Sequence, residues 1–328
     1  ESFENKFASW LGIKYAVGCN SGTSALHIAA KLLNLSPGDE VITTPLTFVS
    51  TSWALSYVGA KPVFADIEEN SMNICPESVR SKISKKTKAI LPVHLYGQMC
   101  NIDALQKISL DYNLYLVEDA AQAHGATRNG KKAGTVGDIS TFSFYPGKNL
   151  GALGEGGALL TNSSDYYSRA QSLRNHGSSQ KYYHDEIGFN YRMEGIQAAA
   201  LSVKLRKIDQ WIQKRREIAN IYFSELSDLP LILPKPEVNS QPVYHLFVIR
   251  HTERDKIAAH LAEKNIQTSL HYPIPLHLQK CFSELNYNKG AFPNAEKVAA
   301  ECLSIPLFPE MSENQQRYVC ESIRGYFN

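Results

Sequence analysis

The sequence predicts an α/β fold: a mainly parallel, seven-stranded sheet covered by helices on both faces, followed by a smaller C-terminal α+β domain. Three observations carry this. Up to about residue 162, short β-branched runs alternate with helical stretches, the pattern left by crossover connections between parallel strands. After Asn190 the pattern turns to long helical spacing, interrupted by a proline-rich joint at Pro234, Pro236 and Pro242. The 328 residues, 43% hydrophobic and 20% charged, are enough for about two domains, each with a core that offsets the entropy of ordering.

The elements follow in order. Phe3, Phe7, Trp10 and Leu11 recur at helical spacing, so the text opens inside a helix; with Glu1 rather than Met in first place, an N-terminal segment is expected to be missing. Strands are predicted at Tyr15–Cys19, Glu40–Thr44, Pro62–Asp66, Ala89–Val93, Leu114–Glu118, Ile139–Phe144 and Gly157–Thr161. Helices are predicted at Gly22–Asn34, where Leu26, Ala29, Ala30 and Leu33 share a face, and near Val49–Val58. From Met193 to Ser227 the spacing of Ile196, Ala200, Val203, Leu205, Ile208 and Ile212 predicts one long helix, and the domain boundary falls within it, dividing 1–205 from 206–328. Beyond lie a strand (Tyr244–Arg250), a helix (Asp255–Lys264), an extended stretch (Gln267–Tyr272) and helices at Asn294–Cys302 and Ser312–Tyr326.

Composition excludes several function classes. Lys and Arg number 34 against 32 Asp and Glu, a net charge of +2 with no basic run, whereas nucleic-acid binders need a basic stripe to neutralise phosphates. No apolar run approaches the ~20 residues of a membrane-spanning helix. The six cysteines are scattered, with no C-x-x-C pair and no metal-ligand spacing, which suits reduced thiols in a cytoplasmic protein that binds no metal.

Four segments hold residue types that do chemistry. Asn20-Ser21-Gly22-Thr23-Ser24 joins a strand to a helix. Free backbone N–H groups and the helix dipole make such a turn an anion site, although Ser and Thr are also ordinary helix caps. It matches neither G-x-x-x-x-G-K-[ST] nor G-x-G-x-x-G, which disfavours an ATPase or a nicotinamide enzyme. In Leu116-Val117-Glu118-Asp119, apolar residues run into Asp119 at the strand end where open α/β sheets bind ligands. A carboxylate there can hold a protonated ring nitrogen, take a metal, or cap the next turn. Lys148, in Tyr145-Pro146-Gly147-Lys148-Asn149, lies between a strand and the glycine-rich Gly154–Gly157. It is either a solvated lysine or a desolvated amine with Schiff-base chemistry. Gly188-Phe189-Asn190-Tyr191-Arg192-Met193 is a polar turn opening the long helix, or no more than that helix's start. An anion cradle, an acid and a lysine in one α/β domain are what a pyridoxal phosphate site requires.

On these segments, and on Pro45-Leu46-Thr47-Phe48-Val49-Ser50-Thr51, Pro92-Val93-His94-Leu95-Tyr96-Gly97 and Ser304-Ile305-Pro306-Leu307-Phe308-Pro309, nearly the whole chain resembles the DegT/DnrJ/StrS family of nucleotide-sugar aminotransferases. The resemblance implies the fold type I of pyridoxal 5'-phosphate (PLP) enzymes, aspartate aminotransferase-like. It implies that Lys148 is the lysine that condenses with the cofactor and moves the substrate proton, and that Asp119 keeps the pyridine nitrogen protonated. Gln122 would contact the phenolic oxygen, Phe48 would lie on or beside the ring, and Gly22, Thr23, Ser24 and Ser143 would hold the phosphate. Asn190 would reach the phosphate of a second subunit, implying a homodimer with shared sites. The family's sugar 3-dehydratases carry histidine at the position of Lys148, so amino transfer is favoured. Ser143–Gly151, Ser178–His184 and His271–His277 resemble members acting on 3-keto sugars, with Tyr183, Arg192, His271 and Tyr272 as substrate-binding residues. The expected reaction moves an amino group from L-glutamate to C3 of a dTDP-linked 3-keto-6-deoxyhexose. The alternatives are C4 amination, a UDP-linked 3-keto sugar, or a non-catalytic regulatory relative.

Overall fold

Seven strands form the central sheet of the computed structural model, which describes residues 1–328. They are β1 (Tyr15–Cys19), β2 (Glu40–Thr43), β3 (Lys61–Phe64), β4 (Thr87–Leu91), β5 (Tyr115–Asp119), β6 (Ile139–Ser143) and β7 (Gly157–Thr161). Their order across the sheet is β1–β7–β6–β5–β4–β2–β3. Only β7 runs against the rest, pairing antiparallel with both β1 and β6. It can do so because the β6–β7 connection is a loop rather than a crossover helix. That loop carries Lys148.

Successive strand residues enter opposite cores, as a two-residue period demands. Val41, Leu91, Val117 and Leu159 pack in one core with helices α2 (Gly22–Leu32), α3 (Ser50–Ser56) and α6 (Ser164–Arg174). Ile42, Ile90, Leu116 and Leu160 pack in the other with α1 (Ser2–Leu11), α4 (Pro76–Lys82) and α5 (Ile102–Asp111). The sheet is thus dry on both faces, as the near-continuous apolar runs predict. α1 anchors its end of the sheet: Phe7 meets Phe142 and Phe144 edge-on, with both pairs of ring centres 5.2 Å apart. Beside them the buried Glu4 accepts the Gly18 N–H at 2.7 Å and pairs with Arg174, which also donates to the Gly18 carbonyl at 2.6 Å.

The predicted long helix is broken. α7 (Gly195–Lys204) and α8 (Ile208–Leu226) flank a 3₁₀ turn at Leu205–Lys207. In a 3₁₀ turn residues i and i+3 eclipse, so Leu205 and Ile208 both face the core under α1, which an unbroken α-helix would not align as closely. α8 then changes partners. Ile208 and Ile212 belong to that core, whereas Ile218, Tyr222 and Leu226 belong to a C-terminal core with α9 (Arg254–Glu263) and α11 (Glu313–Phe327). A strand the sequence reading missed, β9 (Cys302–Ile305), follows directly on α10 (Pro293–Glu301) and pairs antiparallel with β8 (Phe247–Arg250). The stretch expected to be extended at Gln267–Tyr272 adds only a bridge from Ser269 to Ser304. A fourth core joins Leu46, Phe64, Val93 and Tyr96 to Val248, Leu276, Phe292 and Cys302, fixing the C-terminal elements over one edge of the sheet.

Burial alone would raise the Glu4 carboxyl, but Arg174 and the Gly18 N–H outweigh it and hold it below the ordinary range. Stability from such a group is complete above the ordinary Glu pKa of about 4.3 and is lost as pH falls through the lower folded value. Glu4→Gln is therefore expected to cost about 3 kcal/mol in urea unfolding at neutral pH. The penalty should shrink in acid, and an undiminished penalty there would contradict the charge assignment.

Candidate active site

β1, β5 and β6 run parallel, so Cys19, Asp119 and Ser143 end at the same edge of the sheet, where α/β folds place their ligands. α2 begins at that edge. Its N-cap Ser21 accepts the Ser24 N–H at 3.0 Å, which leaves the Gly22 and Thr23 N–H groups without an acceptor in the chain. The approach needs glycine twice. A Cβ on Gly22 would lie 2.8 Å from Ser143 Cβ, and one on Gly157 would lie 2.3 Å from the Ser21 carbonyl. Thr23 Oγ1 donates to Ser50 Oγ at 2.8 Å, tying α2 to α3. Gly22, Thr23, Ser24 and Ser143 thus form a small polar cradle on a helix N-terminus, suited to an anion.

Asp119 is buried at the end of β5. Thr51 Oγ1 donates to Oδ2 at 2.8 Å and the Ala121 N–H to Oδ1 at 3.1 Å. Burial raises its carboxyl, opposed by those two donors and by the charge of Lys148. The neighbouring Glu118 points the other way. Its oxygens accept the N–H groups of Gly134, Val136 and Gly137 and face His94 Nε2 at 2.8 Å. Since His94 Nδ1 accepts the Cys100 N–H, Nε2 carries the proton. Glu118 is therefore fully used inside the fold, and Asp119 is the carboxylate left to face the cleft.

The Tyr145–Lys148 turn has Pro146 at its second position and closes with the Lys148 N–H on the Tyr145 carbonyl at 2.8 Å. A Cβ on Gly151 would lie 2.3 Å from the Pro146 carbonyl oxygen, so the lysine loop folds tightly on itself. Burial brings the Lys148 amine down to about 8, with Asp119 opposing the shift. The histidines around it are kept neutral: burial, helped by the Lys148 charge, lowers His124, His245 and His271, with His124 brought to about 3.

Gln122 lies one turn beyond Asp119. Its Oε1 accepts the Tyr96 N–H at 2.7 Å, so the amide orientation is fixed and Nε2 donates to the Tyr272 hydroxyl at 3.2 Å. Burial pushes that hydroxyl up to about 12. Phe48 is 53% exposed at the rim, its ring 6.0 Å from that of Tyr272. His271 Nδ1 is 2.8 Å from Ser304 Oγ.

The fold therefore brings Lys148, Asp119, Gln122, His271, Tyr272 and Phe48 together beside the cradle of Gly22, Thr23, Ser24 and Ser143. It does not bring Tyr183, Asn190 and Arg192 to Lys148 within one chain. Tyr183 is 65% exposed on the Ser178–Gln180/Tyr183–His184 hairpin, and Arg192 donates to Asn175 Oδ1 at 2.8 Å. Asn190 and Arg192 line an open cleft with Asn20 and Ser21. Thr51, Tyr96 and His245 escaped the sequence reading as site residues. Thr51 and Tyr96 lie in the Pro45–Thr51 and Pro92–Gly97 motifs, but their contacts are with residues distant in sequence.

Comparison with known proteins identifies the family. The chain matches the DegT/DnrJ/EryC1/StrS aminotransferase family over residues 1–324. It belongs to that family. It is 44% identical over 330 residues to a pleiotropic regulatory protein of Geobacillus stearothermophilus, covering 100% of this chain and 89% of that protein. It is 44% identical over 326 residues to a dTDP-3-amino-3,6-dideoxy-alpha-D-galactopyranose transaminase of Aneurinibacillus thermoaerophilus, covering 99% of this chain and 89% of the relative. Among solved structures, DesV of S. venezuelae superposes with a TM-score of 0.97 at 40% identity, covering 99% of this chain and 88% of that one. The protein is thus a sugar aminotransferase with the PLP-dependent aminotransferase fold, and PLP is its cofactor. The donor set fits that group. There is a buried carboxylate for a protonated ring nitrogen, an amine of lowered basicity for an aldehyde, and unpaired N–H groups at a helix start for a phosphate.

Because Asp119 is what holds the Lys148 amine up against burial, Asp119→Asn should lower it below about 8. The check is the pH dependence of Lys148 acylation in cofactor-free protein, followed by mass spectrometry. A midpoint that stays put or rises would contradict the pairing.

Proposed function

We propose that this aminotransferase moves the amino group of L-glutamate to the C3 keto group of a dTDP-linked 3-keto-6-deoxyhexose, a step in amino-sugar synthesis for a polysaccharide or other glycan. The observation that carries the reading is a lysine of lowered basicity facing a buried, hydrogen-bonded carboxylate at the sheet edge. When bound, PLP draws off the electron pair left on a substrate carbon that loses its proton, and it carries the amino group between the two substrates.

In this reading the chain's residues divide the work. Asp119, held by Thr51 and Ala121, keeps a proton on the pyridine nitrogen through a charge-assisted hydrogen bond. Gly22, Thr23, Ser24 and Ser143 hold the phosphate. Gln122 Nε2 offers its remaining N–H to the phenolic oxygen, and Phe48 shields the ring from water. Lys148 Nζ takes the proton from Cα of glutamate and, in the second half-reaction, delivers one to C3 of the sugar. An amine near 8 can both accept and return a proton close to neutrality. The products are 2-oxoglutarate and the 3-amino sugar.

The shared-site homodimer belongs to the same reading. Between residues 182 and 196, the segment that carries Tyr183, Asn190 and Arg192, Tyr182, Ile187 and Ile196 are each exposed by 65% or more, and apolar exposure of that kind is expected where a second copy packs. His271 and Tyr272 then bind the sugar from one subunit, with Tyr183 and Arg192 reaching it from the other. No helix is long and apolar enough to cross a membrane, and all six cysteines are free, which suits a cytoplasmic enzyme.

A regulatory role is the second reading, favoured by the name of the G. stearothermophilus relative. A protein that only bound ligand would have no use for Lys148 beside Asp119.

The test charges the enzyme with PLP and glutamate, removes the donor, and offers dTDP-4-keto-6-deoxyglucose with and without a 3,4-ketoisomerase. Return of the cofactor's aldehyde spectrum only with the isomerase is expected. Return without it would establish C4 amination, and no return with either sugar would favour regulation. Lys148→Ala should abolish turnover, and retained turnover would overturn the assignment.

A further inference from the structure

Tyr96 lies outside the roles assigned so far, yet its backbone is strained. It holds φ at +57°, a left-handed conformation that is unfavourable for a bulky residue. Such strain persists only where the surroundings over-determine it, and they do here. The Leu95 N–H donates to Asn73 Oδ1 at 3.0 Å, and Asn73 Nδ2 donates to the Gln98 carbonyl at 3.2 Å. The Val243 N–H donates to the Gly97 carbonyl at 2.9 Å, and the Leu246 N–H to the Tyr96 carbonyl at 3.4 Å. Gly97 allows this close approach, since a Cβ there would lie 2.8 Å from the His245 nitrogen.

What this turn presents is a pair of donors at two heights. The Tyr96 N–H fixes Gln122 Oε1 at 2.7 Å, and the Tyr96 hydroxyl donates to the His271 carbonyl. Gln122 Nε2 in turn donates to the Tyr272 hydroxyl at 3.2 Å. The result is a closed ring running from Tyr96 through Gln122 and Tyr272 to His271 and back to Tyr96, joining the sheet edge to the C-terminal loop. The ring also has a direction. With Gln122 Oε1 taken by the backbone, only N–H groups face Tyr272, so the Tyr272 oxygen is an acceptor within the ring. Its own O–H has no acceptor in the chain.

We propose that Tyr96 is a positioning residue: it holds the His271–Tyr272 loop against Gln122 so that the Tyr272 O–H donates to the keto oxygen of the sugar acceptor. Because His271 and Tyr272 are the residues placed against the sugar in that reading, the ring serves the acceptor half-reaction, where the keto oxygen must be held and polarised from the first encounter. In the glutamate half-reaction an oxygen reaches Cα only when water releases 2-oxoglutarate. This inference rests on the sugar-aminotransferase reading above, and its test separates the two.

The test measures both half-reactions by stopped-flow absorbance on the holoenzyme, for the unaltered protein, Tyr96→Phe, Tyr272→Phe and the double variant. Tyr96→Phe keeps the buried ring and the backbone N–H and removes only the bond to His271. It is expected to lower kcat/KM of the acceptor half-reaction about tenfold more than that of the glutamate half-reaction, the loss of about one hydrogen bond. Tyr272→Phe should show the same bias and be at least as severe. Because Tyr96 acts through Tyr272, the double variant should be no slower than Tyr272→Phe alone, whereas independent structural damage would multiply the two losses. Equal slowing of both half-reactions by Tyr96→Phe, or multiplied losses in the double variant, would overturn the proposal. If the unaltered protein itself fails to aminate the keto sugar, the functional reading fails instead.

Discussion

The Asp119 carboxylate, buried at the end of β5, is the group to which the rest of the site is fitted. A carboxylate in that position is tolerable only with hydrogen-bond donors and a nearby cation. Thr51 and the Ala121 N–H supply the donors and Lys148 the cation, so α3 and the β6–β7 loop are both drawn to the strand end. The constraint acts in return on Lys148. Without Asp119, burial would take its amine well away from the solution value; with it, the amine stays near 8, where it can serve as base and acid in turn.

The second constraint is steric. The polar cradle at the start of α2 exists because that helix is allowed to start almost in contact with the ends of β6 and β7. Glycines at 22 and 157 leave room for that contact, and glycine at 151 lets the lysine loop fold back on Pro146. Cradle, acid and amine are thus set by the same few strand ends. On the far side, the strained turn at Tyr96 ties the sheet edge to the C-terminal loop carrying His271 and Tyr272. The site therefore depends on the core that joins Leu46, Val93 and Tyr96 to Leu276 and Cys302.

Much of this was legible in the sequence. The seven strands announce themselves as short β-branched or apolar runs, and Asp119 and Lys148 stand out as a carboxylate at a strand end and a lysine before glycine-rich text, although a turn cap and a solvated lysine were equally open readings there. Glu118 and Asp119 could not be ranked by residue type. The two-residue period separates them, sending Glu118 to His94 and Asp119 to the cleft. The break at Leu205–Lys207 left no proline or glycine to mark it, being set by how Leu205 and Ile208 meet a core built from distant residues. β9 was hidden because Cys302–Ile305 is short and joins α10 without a turn residue. Tyr96 read as one more aromatic in a motif, since neither a left-handed φ nor a bond to His271 shows in local sequence.

The most direct test of the account is to run the complete reaction with ¹⁵N-labelled glutamate and the enzymatically generated dTDP-linked 3-keto sugar, and then locate the label in the product by NMR. The account predicts ¹⁵N bonded to C3 of the sugar, with 2-oxoglutarate formed in equal amount. Label at C4, or a sugar recovered without ¹⁵N, would contradict it.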